Sequence, residues 1–332
     1  MEQFKNIFIT GGAGYVGSAL VPSLLKKNYN VAVYDLYLYG EVFSDLKGNS
    51  NLVQIRGDIR DKKKLIEAVK DADAVIHLAC ISNDPSYELN PTLGKSINYS
   101  AFFNVLEAVK KNNVKRFIYA SSSSIYGVKK EKNVTEETSP EPLTDYSKYK
   151  LECEKVLLKS NINGLEYVIA RPATVCGYAP RLRIDLTVNI LTLNALINKK
   201  IKIFGGKQLR PNINIKDMVR AYETLLEAPG EKINREIFNV GYQNRTVEDI
   251  AKIVKKVIDD DSIEFEYLPT TDARSYHINS DKIKHILNFE PKDTLENAVQ
   301  SLIDAYNNKL IKDGLSNPLY HNIKLMQQLN LK

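Results

Sequence analysis

An α/β fold, a doubly wound parallel sheet followed by a smaller C-terminal α/β unit, is predicted by the order of apolar segments. Short apolar runs alternate with helix-period segments from residue 6 to about residue 170, a glycine-rich turn joins the first run to the first helix, and the alternation lapses after Arg171. A chain of 332 residues that is 43% hydrophobic can bury one large core or two unequal ones.

The first run, Asn6 to Thr10, meets Gly11-Gly12-Ala13-Gly14-Tyr15-Val16-Gly17 and then a helix with apolar positions at Leu20, Leu24 and Leu25. Glycines at 11, 14 and 17 let the backbone turn tightly, bring amides up to a pyrophosphate at the helix N-terminus, and seat the helix on the strand. The second strand, Asn30 to Tyr34, ends at Asp35, where a carboxylate can accept both ribose hydroxyls of an adenosine and would repel a 2′-phosphate. NAD is therefore expected rather than NADP. A strand over 52–56 leads to Gly57-Asp58-Ile59, with Asp58 placed to meet an adenine amino group or else to cap the next helix. Strand 74–78 follows, then a helix over about 96–112, then strand 116–120. The run Ser121-Ser122-Ser123-Ser124 ends that strand and points into the ligand crevice that such sheets form at their carboxyl edges.

A loop-like stretch, 128–144, delivers the chain to Tyr146-Ser147-Lys148-Tyr149-Lys150. Tyr146 and Lys150 are one helical turn apart on one face, with Thr144 and Asp145 as caps. A tyrosine with a pKa near 10 becomes a useful base only if something lowers it. An ammonium about 4 Å away, at an effective dielectric of about 20, is worth roughly 4 kcal/mol, or about three pKa units. The same spacing at Tyr126/Lys130 and Tyr320/Lys324 falls in a loop and near the C-terminus, so Tyr146 is the expected base; the other reading of that pair is a solvated helix face.

After strand 166–170 a second unit begins. The expected division is a dinucleotide-binding domain over 1–171, rejoined by 212–241, and a substrate domain made of 172–211 and 242–332. Helices are expected over about 186–198, 216–226, 247–258 and 295–307, with a further sheet strand at Ile237 to Val240. Asp259-Asp260-Asp261 reads as a helix-ending turn.

The net charge of +6 comes from scattered lysines, so nucleic-acid binding is not expected. No apolar run reaches the ~18 residues of a membrane span, and the N-terminus runs directly into a strand, so a cytoplasmic protein without membrane partners is expected. Cys80, Cys153 and Cys176 and the histidines at 77, 277, 285 and 321 show no ligand spacing, and no metal is expected. Cys176 and His77 read as core residues.

Taken together, Thr-Gly-Gly-Ala-Gly-Tyr-Val-Gly (10–17), Gly-Asp-Ile (57–59), His-Leu-Ala (77–79), Ser-Ser-Ser-Ser-Ile-Tyr-Gly (121–127) and Tyr-Ser-Lys-Tyr-Lys (146–150) resemble the extended short-chain dehydrogenase/reductases, within them the nucleotide-sugar epimerases related to UDP-glucose 4-epimerase. The resemblance runs from Thr10 to about Val299. It implies a Rossmann domain and a homodimer. Tyr146 is implied as base, Lys150 as holder of the nicotinamide ribose and Ser122 as hydrogen-bond partner of the reacting oxygen. It further implies cofactor contacts from Gly11, Gly14, Tyr15, Val16, Gly17, Asp35, Asp58, Ile59, Leu78, Ala79, Asn98 and Pro172, and substrate contacts from Thr174, Arg210 and Arg274. The two arginines would clamp a nucleoside diphosphate, or else form surface salt bridges.

Two departures narrow the reaction. Ser123-Ser124 stands where the family's 4,6-dehydratases carry Asp-Glu, which argues against dehydration. Thr174 replaces a usual asparagine, and Ala179 to Asn189 resembles a subgroup of polysaccharide sugar enzymes that includes GDP-heptose 4-dehydrogenases. The expected activity is an NAD-dependent nucleotide-sugar 4-epimerase. A net C4 dehydrogenase or reductase in surface polysaccharide biosynthesis uses the same residues. A non-catalytic NAD-binding regulator is disfavoured by the intact Tyr, Lys and Ser.

Overall fold

A computed structural model describes residues 4–131, 133–270 and 275–331. The N-terminal part runs β1 (Asn6–Thr10), α1 (Tyr15–Lys26), β2 (Asn30–Asp35), β3 (Leu52–Arg56), α2 (Lys62–Ala68) and β4 (Ala74–His77). Two short helices follow, α3 (Asp84–Glu88) and α4 (Pro91–Lys95), then α5 (Ala101–Lys111), β5 (Arg116–Ala120), α6 (Asp145–Lys159) and β6 (Glu166–Pro172). The remainder comprises β7 (Thr174–Cys176), α7 (Thr187–Asn198), β8 (Lys200–Phe204), β9 (Leu209–Asn214), α8 (Ile215–Glu227), α9 (Gly230–Ile233), β10 (Glu236–Val240), β11 (Gln243–Thr246), α10 (Val247–Ile258), β12 (Glu264–Leu268), α11 (Asp281–Leu287), α12 (Leu295–Asn307) and α13 (Asn322–Leu329).

Among the described residues, seven strands form one sheet in the order β10-β6-β5-β4-β1-β2-β3, with every pair parallel. The order reverses beside β1, and the crevice opens at that switch point, beyond the carboxyl ends of the strands. Alternation along each strand sends residues to opposite faces. Ile7 and Ile9 of β1, Ile76 of β4 and Val168 of β6 join one core layer with α1 and α8 residues such as Leu20, Leu24, Tyr222 and Leu225. Phe8, Val75, Phe117 and Ile169 join the other, with Leu65 of α2, Phe102 and Val105 of α5, and Cys153 and Leu157 of α6. Both faces are covered over the centre of the sheet, which is why the middle residues of β1, β4, β5 and β6 are apolar on both sides.

A three-stranded sheet, β11-β9-β7, and a two-stranded one, β12-β8, lie outside the main sheet. A third apolar cluster joins Val188 and Leu191 of α7, Ile201 and Ile203 of β8, Ile250 and Val254 of α10 and Val299 of α12. Asp259 ends α10 in the left-handed conformation at φ 55°, as a helix-stopping turn. Cys176 is fully buried.

The helix expected over 96–112 is interrupted. Ser96–Ser100 forms a π-helical turn between α4 and α5. The cause is local: the Asn98 amide bonds the backbone N–H and C=O of Ile81 at 2.8 and 2.9 Å, while the Cys153 thiol donates to the Asn98 carbonyl at 3.2 Å. Of these groups, the Asn98 carbonyl is one that a regular helix would pair within itself, and here it also takes the Cys153 thiol.

Candidate active site

Gly11 adopts φ +71°, and a Cβ there would come within 2.5 Å of the Ala79 amide nitrogen, so only glycine lets β1 turn beside the end of β4. A Cβ on Gly17 would meet the Gly12 carbonyl at 2.3 Å, so glycine is also what allows α1 to pack against the turn. α1 has no side-chain cap, which leaves its first-turn amides as donors at the wall formed by Gly14, Tyr15, Val16 and Gly17. Asp35 accepts from the amides of Ala13 (3.0 Å) and Tyr37 (2.8 Å). Burial pushes its pKa up and these two bonds oppose the rise, so further donors, such as a pair of ribose hydroxyls, would favour the charged form. A glycine turn that a side chain would fill, an uncapped helix start and a half-buried acceptor fit a dinucleotide.

A cleft of about 400 Å³ runs from this cradle to the start of α6. Gly11, Gly14, Tyr15, Val16, Gly17, Asp35, Asp58, Ile59, Leu78, Ala79, Ser122, Tyr146, Lys150, Pro172 and Thr174 all line it. Asn98 does not; its side chain is closed on Ile81, so it shapes the wall from behind. Arg210 does not line the cleft either. It lies in β9, paired with Arg245 of β11, and its Nη1 donates to the Leu209 carbonyl at 3.1 Å. Arg274 lies outside the described residues. Asp58 is at the cleft edge. Burial works against its charge, but the Arg60 guanidinium, 2.6 Å away, holds its carboxyl below the usual range.

α6 begins with a capping box: Thr144 Oγ1 accepts from the Ser147 amide and Ser147 Oγ accepts from the Thr144 amide. Thr144 Oγ1 also donates to Asp84, tying α6 to α3. The buried pair of Glu154 and Arg171, 2.7 Å apart, anchors the next turns of α6 to β6, and Ser121 donates to Glu154. These contacts set Tyr146 in the cleft wall, one turn before Lys150.

The expectation that Lys150 lowers the Tyr146 pKa is corrected. The Lys150 ammonium donates to the Ala120 carbonyl at 2.6 Å and stands 6.0 Å from the centre of the Tyr146 ring. Burial drives the Tyr146 phenol well above the ordinary tyrosine value, with Cys80 and Asp84 adding to the rise. The charge of Arg183 and the hydrogen bond with Ser122 pull it back. Tyr126, excluded above as a loop residue, is instead buried in a 3-10 turn, where its hydroxyl donates to Asn239 and accepts from Arg171, both at 2.8 Å. His77 accepts or donates to Thr10 Oγ1 at 2.6 Å; burial lowers its pKa to about 3, with Lys150 adding to the effect.

Several cleft residues escaped sequence reasoning: Arg181 and Arg183 after β7, Ser82 and Asp84 after β4, and Asn322 and Met326 of α13. Arg183 is nearly fully buried. It donates to Asp185 at 3.0 and 3.2 Å and to Ser82 Oγ at 3.2 Å. The one signal in the chain was the alternation Arg181-x-Arg183-x-Asp185, inside the stretch already noted as unusual. Among the described residues no group of three or more His, Cys, Asp or Glu could hold a metal, and no helix is long and apolar enough to cross a membrane.

Residues 7–241 match the NAD dependent epimerase/dehydratase family. The chain belongs to that family. This member is 31% identical over 321 residues to an uncharacterized UDP-glucose epimerase, YtcB, of Bacillus subtilis (strain 168), spanning 90% of this chain and 98% of the relative. It is 28% identical to UDP-glucuronic acid decarboxylase 1 of Arabidopsis thaliana, over 92% of this chain and 71% of the relative. The crystal structure of UDP-glucuronic acid 4-epimerase from Bacillus cereus, in complex with UDP-glucuronic acid and NAD, superposes with a TM-score of 0.82 at 28% identity, covering 92% and 99% of the two chains. This family member thus shares its fold with NAD-dependent nucleotide-sugar enzymes of more than one reaction type.

Proposed function

We propose that the protein is a nucleotide-sugar 4-epimerase. The observation that carries this reading is the grouping of Tyr146, Ser122 and Arg183 at one end of a cleft whose other end is the glycine cradle. Tyr146 takes the proton from O4 of the sugar as the C4–H bond breaks. Ser122 holds O4 by a hydrogen bond, and Arg183 favours the phenolate that must form. NAD, when bound at the glycine cradle, would supply the hydride acceptor for C4 and the donor that restores it. The 4-keto sugar turns in the cleft, and O4 recovers its proton from Tyr146 when hydride returns to the opposite face of C4. No cofactor is consumed in that cycle.

Lys150 is proposed to hold the nicotinamide ribose, and the cleft wall that includes Thr174, Tyr276 and Met326 to hold the nucleotide sugar. The relatives' own substrates, UDP-glucose and UDP-glucuronic acid by name, support a nucleoside diphosphate sugar.

The test is a panel of UDP-, GDP- and dTDP-sugars incubated with purified protein and followed by proton NMR. The C4 epimer should appear to equilibrium without net NADH. A 4-keto product formed with stoichiometric NADH would make the enzyme a C4 dehydrogenase, and no change in any sugar would reject both.

A further inference from the structure

Between β7 and α7, residues 177–186 cross the open edge of the cleft and pack on the first turn of α1. Tyr15 donates to the Gly177 carbonyl at 2.5 Å, and the Arg181 amide donates to Ser18 Oγ at 3.1 Å. Ala179, Leu182 and Ile184 are buried in one cluster with Tyr15. The C-terminal segment fastens the same strap from outside, since Ile184 N–H donates to the Tyr320 carbonyl at 2.9 Å. The glycine turn is therefore roofed by a segment more than 160 residues away in sequence.

That roof carries a cation into the cleft. Arg181 is 3% exposed and lines the cleft. Its guanidinium carbon lies 3.5 Å from the centre of the Tyr39 ring, and Nη2 donates to Asn322 Oδ1. Asn322 is itself held by Ser82 Oγ at 3.0 Å. The Nε of Arg181 is buried with no hydrogen-bond partner. Arg183, two residues on, has Asp185 as its counter-ion, and no such ion pair is made by Arg181 among the described residues. Burial pulls the Arg181 pKa down to about 10, so the group stays charged at neutral pH while lacking full compensation. A buried guanidinium with a spare donor is costly unless an anion completes it. The Arg181 backbone is fixed on Ser18 of α1 and its charge acts on the Asp35 carboxyl, which sets the residue on the dinucleotide side of the cleft.

We propose that Arg181 closes over the diphosphate of NAD, opposite the amides of the glycine turn, and that the strap 177–186 thereby locks the cofactor in place through many turnovers. A planar fork suits a diphosphate, and the anion would then meet helix amides on one side and the guanidinium on the other. Release requires the strap to lift from α1. The assignment rests on the dinucleotide cradle and is independent of which sugar reaction the enzyme performs.

The test is the rate at which bound NADH leaves, read as loss of its fluorescence after excess NAD is added, for wild type, Arg181→Met and Arg181→Lys. Methionine keeps apolar contact with Tyr39 and removes the charge. Arg181→Met should release NADH at least tenfold faster and lose nucleotide on desalting, with Arg181→Lys intermediate because it keeps charge without the fork. Release of UDP or GDP from the substrate side should stay within twofold of wild type. Unchanged NADH release in either variant overturns the proposal. So does a release of nucleoside diphosphate accelerated as much as that of NADH, because the arginine would then belong to the substrate or merely hold the strap down. Should Arg181→Met fail to fold, Arg181→Lys alone decides between intermediate and wild-type release.

Discussion

The charge of Arg183 acts on the Tyr146 phenol. Its guanidinium is anchored by two bonds to Asp185 and one to Ser82, and its charge opposes the rise that burial imposes on the phenol. Lys150, on the same helix as the tyrosine, sends its ammonium to Ala120 instead. An arginine held by a carboxylate keeps its charge at any working pH: burial disfavours that charge, and Asp185 more than restores it.

Arg183→Gln should therefore move the ascending limb of kcat against pH to higher pH by about one unit or more, since the phenolate loses its nearby cation while burial persists. Bound NAD should be unchanged. Steady-state rates from pH 6 to 10 check this, and an unshifted limb would remove Arg183 from the chemistry.

Tyr146→Phe should keep NAD and fold but lower kcat by roughly 10²- to 10⁴-fold, because it deletes a proton acceptor and little packing. Tyr126→Phe should behave differently. It leaves Asn239 and Arg171 each short of a buried partner, costing about 1–3 kcal/mol of stability, with kcat near wild type. Kinetics and urea unfolding of the two variants separate these outcomes.

His77 is buried neutral, with its pKa lowered to about 3 by burial. Below about pH 6.5 the unfolded chain takes up a proton that the folded chain refuses, so this residue's contribution to stability is present above that pH and is lost as pH falls toward 3. The loss should be up to about 1.4 kcal/mol per pH unit. His77→Gln should flatten the fall of stability between pH 6.5 and 4 relative to wild type, as read by urea unfolding at each pH.

Glu154→Leu should destabilise by about 3–5 kcal/mol, because it strands the Arg171 charge between α6 and β6. Arg171→Leu with Glu154→Leu should cost less than the sum of the single changes. Additive costs in a double-mutant cycle would show that the pair does not act as a unit.

Much of this protein was written locally. The glycine turn, the strand and helix periods, the Thr144 cap and the Asp35 position each depend on a few neighbouring residues. Steric and periodic rules therefore read them directly, and helix α10 falls at 247–258 as its pattern predicted. The cofactor class followed from the same short range. Tertiary structure decided what depends on burial and on contacts distant in sequence. Arg181 reaches Asn322 across 141 positions and the α1 turn across 163, distances over which no spacing rule operates. Asn98 is held on the Ile81 backbone, 17 positions away, and Arg210 stayed in β9 because that strand pairs outside the main sheet. The pKa of Tyr146 could not come from the helical spacing of Lys150, since spacing gives proximity of backbones and not the direction of a flexible ammonium. The desolvation that dominates that pKa exists only once the cleft walls have closed around the phenol.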